Sequence, residues 1–276
     1  MKTAREMFEK LGWIKKMKLD VQPFIDSLRE SLDLTEKKRL LIIQVGDNPA
    51  SNLYIKSKLK EADKWNVECH VSKFDETITE EKLGAYIMTQ GLRDWDGIIV
   101  QLPLPRHINE QAIVNCIPRK LNVDGFDQND GHLPLYTSCT ALGIVEYLRS
   151  ITDLEGKNIV LIGRGKTVGK PLIPLLLNEN ATLTICHSHT KYFDLRKHLT
   201  NADIVISAIG KPGYIVPIYN KKGLIIIDAG ISRVNGKQVG DFSHKCIPDS
   251  IDYTPWTGGV GKLTVAMLMY NVRKEV

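Results

Sequence analysis

Hydrophobic positions along the first half of the chain form short apolar runs separated by stretches with helical spacing. In chain order they predict a helix over residues 3–33, a strand at Leu40–Val45, a helix capped by Ser51 and ending near Trp65, a strand near Glu68–Lys73, a helix near Glu80–Arg93 and a strand at Gly97–Gln101. A continuous apolar run of this length is typical of a strand buried on both faces. The alternation of strands and helices therefore predicts a parallel sheet covered by helices.

The pattern restarts after a polar, turn-rich region over residues 124–138. It predicts a helix near Leu142–Ser150, strands at Asn158–Ile162, Thr182–Cys186, Ile204–Ala208 and Leu224–Asp228, a helix opening near Val168, a turn-rich segment Tyr253–Gly261 and a last helix Leu263–Arg273. We therefore predict an α/β fold with two domains, residues 1–140 and residues 141–253. We expect residues 254–276, with the last helix, to complete the first domain.

Composition and charge exclude several classes of protein. The 276 residues are 43% hydrophobic and 25% charged, which is ordinary for a folded domain, and the net charge is only +5. The basic clusters, such as Lys37–Arg39, are short and lack interleaved aromatic residues, so we expect no nucleic-acid partner. We also expect no membrane span and no signal peptide. Five cysteines without a CxxC pair predict reduced thiols, a cytoplasmic protein and no bound metal.

A glycine-bearing turn follows the predicted strand Asn158–Ile162. Gly163, Gly165 and Gly169 follow the pattern GxGxxxG, a variant of the dinucleotide-binding motif that places pyrophosphate at a helix N-terminus. The next strand ends in His187 and Ser188, where an NAD enzyme usually carries an acidic residue for the ribose hydroxyl. This difference favours NADP, with NAD as the alternative.

Tyr54 and Lys58 lie four residues apart in a predicted helix, so both side chains share one face. The same spacing is common in a surface pair. Short-chain dehydrogenases have a similar Tyr-x-x-x-Lys motif, but there it follows the nucleotide turn, and here it precedes the turn. A lysine can exchange a proton with a substrate when burial or nearby cations lower its pKa towards neutrality.

A series of motifs in a fixed order carries a family resemblance. The motifs are Val45–Ser51, Tyr54 with Lys58, Gly97–Pro105 (GIIVQLPLP), Val123–Phe126, Asn129–Gly131, Gly163–Arg164 with Val168–Pro171, Ala181–Ser188 with Thr190, Ala202–Gly213, Gly240–Asp241 and Gly258–Gly261 (GGVG). Together they resemble the bifunctional methylenetetrahydrofolate dehydrogenase/cyclohydrolase family over residues 40–271.

The resemblance implies two reactions in a cleft between two domains, with purine synthesis as one user of the product. One reaction transfers hydride from 5,10-methylenetetrahydrofolate to NADP, and the other hydrolyses the resulting methenyl cation to 10-formyltetrahydrofolate. It also implies a homodimer. Its catalytic residues correspond here to Lys58, Tyr54, Gln101 and Asp124. Lys58 would accept and return the proton, and Gln101 would orient Lys58. Tyr54 would stack on the aminobenzoate ring and Asp124 would bind the pterin.

The resemblance also implies the binding residues. Substrate binding would involve Tyr54, Gln101, Leu102, Pro103, Asp124, Gly258 and Gly259. NADP binding would involve Gly163, Arg164, Gly165, Val168, Gly169, His187, Ser188, Thr190 and Ile231.

The chain departs from the family pattern at four places. Gly165 stands where the family has Ser, Leu121–Asn122 where it has Lys-Asp, and Ala141 where it has Pro. Thr257 and Lys262 replace two prolines that flank the GGVG loop, which should make that loop less rigid. We expect altered folate affinity or one weakened activity. Two other interpretations stay open: a non-catalytic folate or nucleotide binder, and a two-domain NADP dehydrogenase resembling shikimate dehydrogenase.

Overall fold

The computed structural model describes residues 18–126, 135–216, 221–235, 237–243, 246–248 and 250–274. Two predicted features lie outside these ranges: the part of the first helix that carries Phe8, Leu11 and Ile14, and the motif Asn129–Gly131.

The described residues form helices and strands that we number in chain order. They are α1 (Gln22–Glu30), β1 (Lys38–Val45), α2 (Pro49–Ala62), β2 (Val67–Phe74), α3 (Glu80–Gln90), β3 (Gly97–Val100), α4 (Glu110–Asn115), α5 (Cys139–Ile151), β4 (Asn158–Ile162), α6 (Gly169–Asn178), β5 (Thr182–Cys186), α7 (Tyr192–Asn201), β6 (Ile204–Ser207), β7 (Ile225–Asp228), β8 (Ser232–Val234), β9 (Lys237–Val239), β10 (Asp252–Tyr253) and α8 (Val260–Arg273). Two short 3-10 turns lie at Asp63–Trp65 and Arg119–Leu121.

The chain divides into two compact units. The three-strand unit consists of Ile25–Cys139 and the described part of Thr264–Val276, and the five-strand unit consists of the described part of Met1–Phe24 and Thr140–Leu263. The unit boundaries therefore fall inside α1, α5 and α8. They differ from the predicted domain limits at two places: the described residues before Ile25 and residues 254–263 group with the five-strand unit.

The three-strand unit is built on a parallel sheet in the order β2-β1-β3. Its central strand β1 contains the apolar run Leu40–Ile43, whose residues are at most 1% exposed. The chain runs from β1 to β2 on one side and then crosses to β3 on the other side. The carboxyl ends of β1 and β3 therefore flank the switch point, where open parallel sheets bind their ligands.

The five-strand unit is built on a parallel sheet in the order β10-β7-β6-β4-β5. Alternate residues of β4 belong to different apolar clusters: Ile159 and Leu161 to one, Val160 and Ile162 to the other. Because successive strand residues point to opposite faces, both faces of the sheet are covered. Its switch point lies between β4 and β6.

These two parallel sheets confirm the predicted α/β class. In the described residues, no helix has the length and apolar character of a membrane span. All five cysteines are free thiols.

The predicted first helix is wrong over residues 18–21, the first described residues of its range. Lys18 forms a parallel bridge with Tyr253, and the Leu19 N–H donates to the Tyr253 carbonyl at 2.9 Å, so this segment is extended. Within the described residues, helix α1 begins at Gln22. Pro23 suits its first turn, where a missing N–H costs no intrahelical hydrogen bond.

The predicted cap of α2 is also wrong. Asn48 rather than Ser51 caps the helix: its Oδ1 accepts the N–H groups of Ala50 at 2.8 Å and Ser51 at 3.2 Å. Pro49 then occupies the first helical turn. Ser51 lies inside the helix and is buried.

Several short elements were not predicted. They are α4, α7, β8, β9 and β10. The strands among them have two or three residues, too few for a periodic pattern to be recognised. At the other end of the chain, α8 begins at Val260, inside the segment predicted to be turns.

Candidate functional site

A buried lysine and a buried glutamine meet at the switch point of the three-strand unit. Lys58 lies on α2, and Gln101 directly follows β3. Lys58 Nζ donates to Gln101 Oε1 at 3.0 Å, and the two residues are only 8% and 9% exposed. Gln101 Nε2 in turn donates to the Leu102 carbonyl at 2.8 Å. This second bond fixes the amide so that its oxygen faces the lysine.

The position of α2 follows from its cap and its buried face. Ser51, Ile55 and Lys58 recur at spacings of four and three residues, so they share the inward face of the helix. Ser51 Oγ donates a long hydrogen bond of 3.5 Å to the Leu102 carbonyl. Tyr54 lies one turn before Lys58 and is half-buried. The structure therefore excludes a plain surface pair, because the lysine is buried.

Asp124 lies beyond the second 3-10 turn of the same unit and is partly buried. Burial raises the pKa of its carboxyl, while the positive charge of Lys58 and a hydrogen bond from Cys139 oppose this rise. The Cys139 N–H also donates to the Asp124 carbonyl at 3.3 Å. Lys58, Gln101 and Asp124 thus form one group of interacting polar side chains. Leu102 and Pro103 follow Gln101, are half-buried and exposed respectively, and are joined by a cis peptide bond.

Gly258 and Gly259 form the turn before α8 and belong to the five-strand unit. Gly258 has a φ of +81°, which favours glycine. A Cβ at Gly259 would overlap the Pro255 carbonyl and lie 3.2 Å from Thr254 Cβ. Nearby, Lys262 Nζ donates to Gln22 Oε1 at 3.1 Å.

The glycine turn after β4 is tight at two positions and open at a third. Gly163 has a φ of +111°, and a Cβ there would lie 2.5 Å from the Ala208 carbonyl oxygen. A Cβ at Gly169 would lie 2.8 Å from Arg164 Cα, because the start of α6 packs on the turn. Gly165 has open space around it. At the N-terminus of α6, Val168 contributes no side-chain cap.

A compact turn follows β5. The His187 N–H donates to Thr190 Oγ1 at 2.9 Å, and the Thr190 N–H donates to the His187 carbonyl at 2.8 Å. The His189 N–H donates to His187 Nδ1 at 3.2 Å, so Nδ1 is an acceptor and a neutral His187 carries its proton on Nε2. Ser188 is exposed. Ile231 lies after β7, at the same edge of the sheet, and is 37% exposed.

The predicted site residues thus fall into two groups. The structure brings Lys58, Gln101 and Asp124 together in the three-strand unit, with Tyr54 on the same helix as the lysine. Leu102 and Pro103 also lie in the three-strand unit, directly after Gln101. The remaining predicted residues lie in the five-strand unit: the turn of Gly163, Arg164, Gly165, Val168 and Gly169, the turn of His187, Ser188 and Thr190, then Ile231, Gly258 and Gly259. The sequence analysis assigned no role to two buried aspartates, Asp228 and Asp241, although Gly240 precedes Asp241 and Gly230 lies two residues after Asp228.

Comparison with known proteins identifies the family of the chain. The NAD(P)-binding domain model of the tetrahydrofolate dehydrogenase/cyclohydrolase family matches residues 138–276, and its catalytic domain model matches residues 13–124. The chain belongs to this family. The bifunctional protein FolD of Bacillus licheniformis is 42% identical over 245 residues, which cover 86% of each chain.

Solved structures of the family have the same fold. The FolD methylenetetrahydrofolate dehydrogenase/cyclohydrolase of Campylobacter jejuni is 35% identical, with a TM-score of 0.83, covering 92% of this chain and 95% of that chain. The Trypanosoma brucei enzyme, solved with NADP cofactor and an inhibitor, is 29% identical, with a TM-score of 0.84, covering 94% of this chain and 96% of that chain. The predicted family is therefore confirmed, and the resemblance to shikimate dehydrogenase is set aside.

Proposed function

We propose that this protein oxidises 5,10-methylenetetrahydrofolate with NADP and hydrolyses the methenyl product to 10-formyltetrahydrofolate. The observation that carries the proposal is the buried hydrogen bond from Lys58 Nζ to Gln101 Oε1. A buried amine held by an amide oxygen is suited to receive and return a proton at one defined position. Family membership supplies the substrate and the pair of reactions.

In the hydrolytic step, water attacks the electron-poor methenyl carbon of the folate. The new oxygen loses two protons: one is released to solvent, and the other passes to the ring nitrogen as one carbon–nitrogen bond breaks. Lys58 Nζ is the group that accepts and returns this proton, and Gln101 keeps the amine in position through its fixed amide. Tyr54 presents its ring to the aminobenzoate part of the folate.

Asp124 binds the pterin in this proposal. A carboxylate accepts hydrogen bonds from an amino group and a ring N–H more strongly than a neutral acceptor does. Leu102 and Pro103, directly after Gln101, complete this part of the substrate site, and a folate contact at Gly258 and Gly259 stays a prediction from the family resemblance.

The turn after β4 fits NADP. Gly163 and Gly169 leave room for the backbone to approach a pyrophosphate, and α6 presents its N-terminus without a side-chain cap. Arg164 and Gly165 continue the turn, and Val168 precedes the helix. His187, Ser188, Thr190 and Ile231 are the other residues that would hold the nucleotide. Bound NADP supplies the ring that accepts the hydride.

A spectrophotometric assay tests the proposal. Purified protein with methylenetetrahydrofolate and NADP should form the methenyl compound, which absorbs in the near ultraviolet, and this signal should then decay by hydrolysis. Hydrolysis is measured separately by adding the methenyl compound without nucleotide. If nucleotide and folate bind but neither reaction proceeds, the protein is a non-catalytic binder. If only one reaction proceeds, that activity alone is retained.

The assembly and the location of the protein are also proposals. We expect a homodimer in the cytoplasm, as the family resemblance and the five free thiols suggest. Light scattering after size-exclusion chromatography distinguishes a dimer of about 62 kDa from the 31.1 kDa single chain.

A further inference from the structure

Two buried aspartates lie at the carboxyl edge of the five-stranded sheet. Asp228 ends β7, Asp241 follows β9, and both are at most 2% exposed. A carboxylate this deeply buried is tolerated only when hydrogen bonds replace its lost water. The bonds that these two aspartates accept come largely from the backbone of neighbouring loops.

Asp241 holds the loop that follows β6. Its Oδ2 accepts the Ser207 hydroxyl at 2.7 Å and the Ile209 N–H at 2.8 Å. Its Oδ1 accepts the Lys211 N–H at 2.8 Å. Both carboxylate oxygens are thus used, and the segment Ser207–Lys211 is tied to one side chain at three points.

Asp228 holds Asp241 in turn. Its Oδ1 accepts the Asp241 N–H at 3.0 Å, and its Oδ2 accepts the Phe242 N–H at 3.1 Å. Its Oδ1 also accepts the Gly230 N–H at 3.2 Å, one residue before Ile231. The Asp228 carboxylate therefore ties the end of β7 to the backbone at Asp241 and so fixes where the Asp241 carboxylate lies.

Two glycines make room for these carboxylates. A Cβ at Gly230 would overlap the carboxyl group of Asp241, and a Cβ at Gly240 would lie 2.6 Å from Asp228 Cγ. Neither Gly230 nor Gly240 has a positive φ. Space for the carboxylates, rather than backbone conformation, therefore accounts for glycine at both positions.

The loop held by Asp241 borders the glycine turn. A Cβ at Gly163 would lie 2.5 Å from the Ala208 carbonyl oxygen and 3.2 Å from Ile209 Cγ2. The turn follows β4 and the loop follows β6, so together they flank the switch point of this sheet. If the loop shifted, it would therefore press against the turn or move away from it.

We infer that Asp241 is a positioning residue for the nucleotide, with Asp228 as its support. Asp241 keeps the loop Ser207–Lys211 at the distance from the Gly163 turn that the dinucleotide requires. This inference rests on the proposed function, because it takes the glycine turn as the NADP site. A carboxylate is needed because all three bonds are accepted, and an amide offers only one accepting atom.

The variant Asp241→Asn tests the inference. It should raise the Kd for NADPH, measured by fluorescence, and the KM for NADP by about tenfold or more, with a smaller change in kcat at saturating NADP. Hydrolysis of the methenyl compound, measured without nucleotide, should stay within about twofold of the unmodified protein. Ser207→Ala removes one of the three donors and should weaken NADPH binding by only about two- to fourfold.

Asp203→Asn is the matched control at the opposite edge of the same sheet. Asp203 accepts the Lys221 Nζ and the Asn158 N–H, both at 2.9 Å, at the amino ends of β4 and β6. The Asp203→Asn variant should lower the stability of the fold without changing the Kd for NADPH. If folded Asp241→Asn binds NADPH normally, or if Asp203→Asn weakens binding as much, the inference is overturned.

Binding and turnover separate this inference from the proposed function. Unmodified protein that binds NADPH but performs neither reaction would contradict the proposed function alone, and the Kd comparison between variants would still decide the role of Asp241. Unmodified protein that does not bind NADPH would overturn the inference itself.

Discussion

The two parallel sheets have switch points of the same kind, yet they surround them with different chemistry. In the three-strand unit, polar side chains meet directly, as in the bond from Lys58 Nζ to Gln101 Oε1 at 3.0 Å. In the five-strand unit, the turn at Gly163 and Gly169 is made of backbone, and the buried Asp241 bonds mainly to backbone N–H groups. We propose that the first switch point transfers a proton and that the second holds backbone N–H groups in fixed positions.

The difference follows from what each region has to recognise. A proton has to be received by a side chain that changes its charge, and burial makes such a change sensitive to neighbouring charges. A pyrophosphate already carries its charge and needs close, correctly directed N–H groups. We therefore expect a substitution at the Lys58 site to leave NADPH binding intact, and a substitution in the glycine turn to leave methenyl hydrolysis intact.

The largest expected effect is that of Lys58→Met. Loss of the amine should lower methenyl hydrolysis by about 10²- to 10⁴-fold, the range of general acid–base catalysis. The Kd for NADPH should stay unchanged, because the nucleotide turn keeps its backbone. Stopped-flow or steady-state absorbance measures the hydrolysis, and circular dichroism checks that the variant is folded.

Lys56→Met is the matched control for this change. Lys56 lies on the same helix, two residues earlier, and is exposed. Its substitution should leave hydrolysis within about twofold, since exposed substitutions away from a site have small effects. Undiminished hydrolysis in Lys58→Met would remove Lys58 from the mechanism.

The second prediction tests the opposite region through Gly169→Ala. The added Cβ would lie 2.8 Å from Arg164 Cα, so the turn or the helix start has to move. Overpacking of this kind costs about 1–3 kcal/mol, and the Kd for NADPH should rise by about tenfold or more. Methenyl hydrolysis without nucleotide should stay unchanged.

Gly165→Ala adds the same atom to the same turn, but into open space. It should leave NADPH binding within about twofold. Equal losses in the two variants would show that backbone spacing at Gly169 is not what the nucleotide site requires.

Sequence alone could predict most of the fold, because long apolar runs identify buried strands. β1, β3, β4 and β6 were predicted to within two residues at each end. The cap of α2 was missed because Asn48, Pro49 and Ser51 all suit a helix start, and only the geometry decides among them. The elements α7 and β8 lack a clear apolar pattern.

The candidate site was less accessible to sequence reasoning. The spacing of Tyr54 and Lys58 indicates a shared helix face, but the partner of the lysine is Gln101, 43 residues away. Only the family resemblance pointed to it. The contacts of Asp241 were missed because its three bonds join residues 30, 32 and 34 positions apart in the chain. The available signal was a glycine close to each aspartate: Gly240 precedes Asp241, and Gly230 lies two residues after Asp228.

The ionisation of the buried Asp124 carboxyl should affect the stability of the fold. Because burial raises the pKa of this carboxyl, its ionised form costs stability, and the cost grows as the pH rises above the usual range of an aspartate. Asp124→Asn should therefore be more stable than the unmodified protein near pH 7–8, with the difference shrinking towards pH 4. It should also raise the folate KM by about tenfold or more, since a charged acceptor is lost.

Asp203→Asn should show the opposite dependence on pH. Burial raises the pKa of Asp203, but the bonds from Lys221 and the Asn158 N–H outweigh it, and the net pKa is lowered. Its ionised form therefore adds stability at neutral pH, which is lost as the pH falls through the acid range. Urea unfolding at several pH values measures both variants. Parallel pH dependence in the two would contradict the assignment of Asp124.

The smallest expected effect comes from restoring the family's serine in the nucleotide turn. Gly165 has open space around it, so Gly165→Ser adds a hydroxyl without displacing neighbours. If the turn lies against the 2′-phosphate, this hydroxyl adds one charge-assisted hydrogen bond, and the preference for NADPH over NADH should rise about three- to tenfold. Gly165→Ala separates the hydroxyl from the stiffening of the backbone, which affects both nucleotides equally. An equal gain for NADH would mean that Arg164 and Gly165 do not face the phosphate, and would place nucleotide selection at the His187 turn instead.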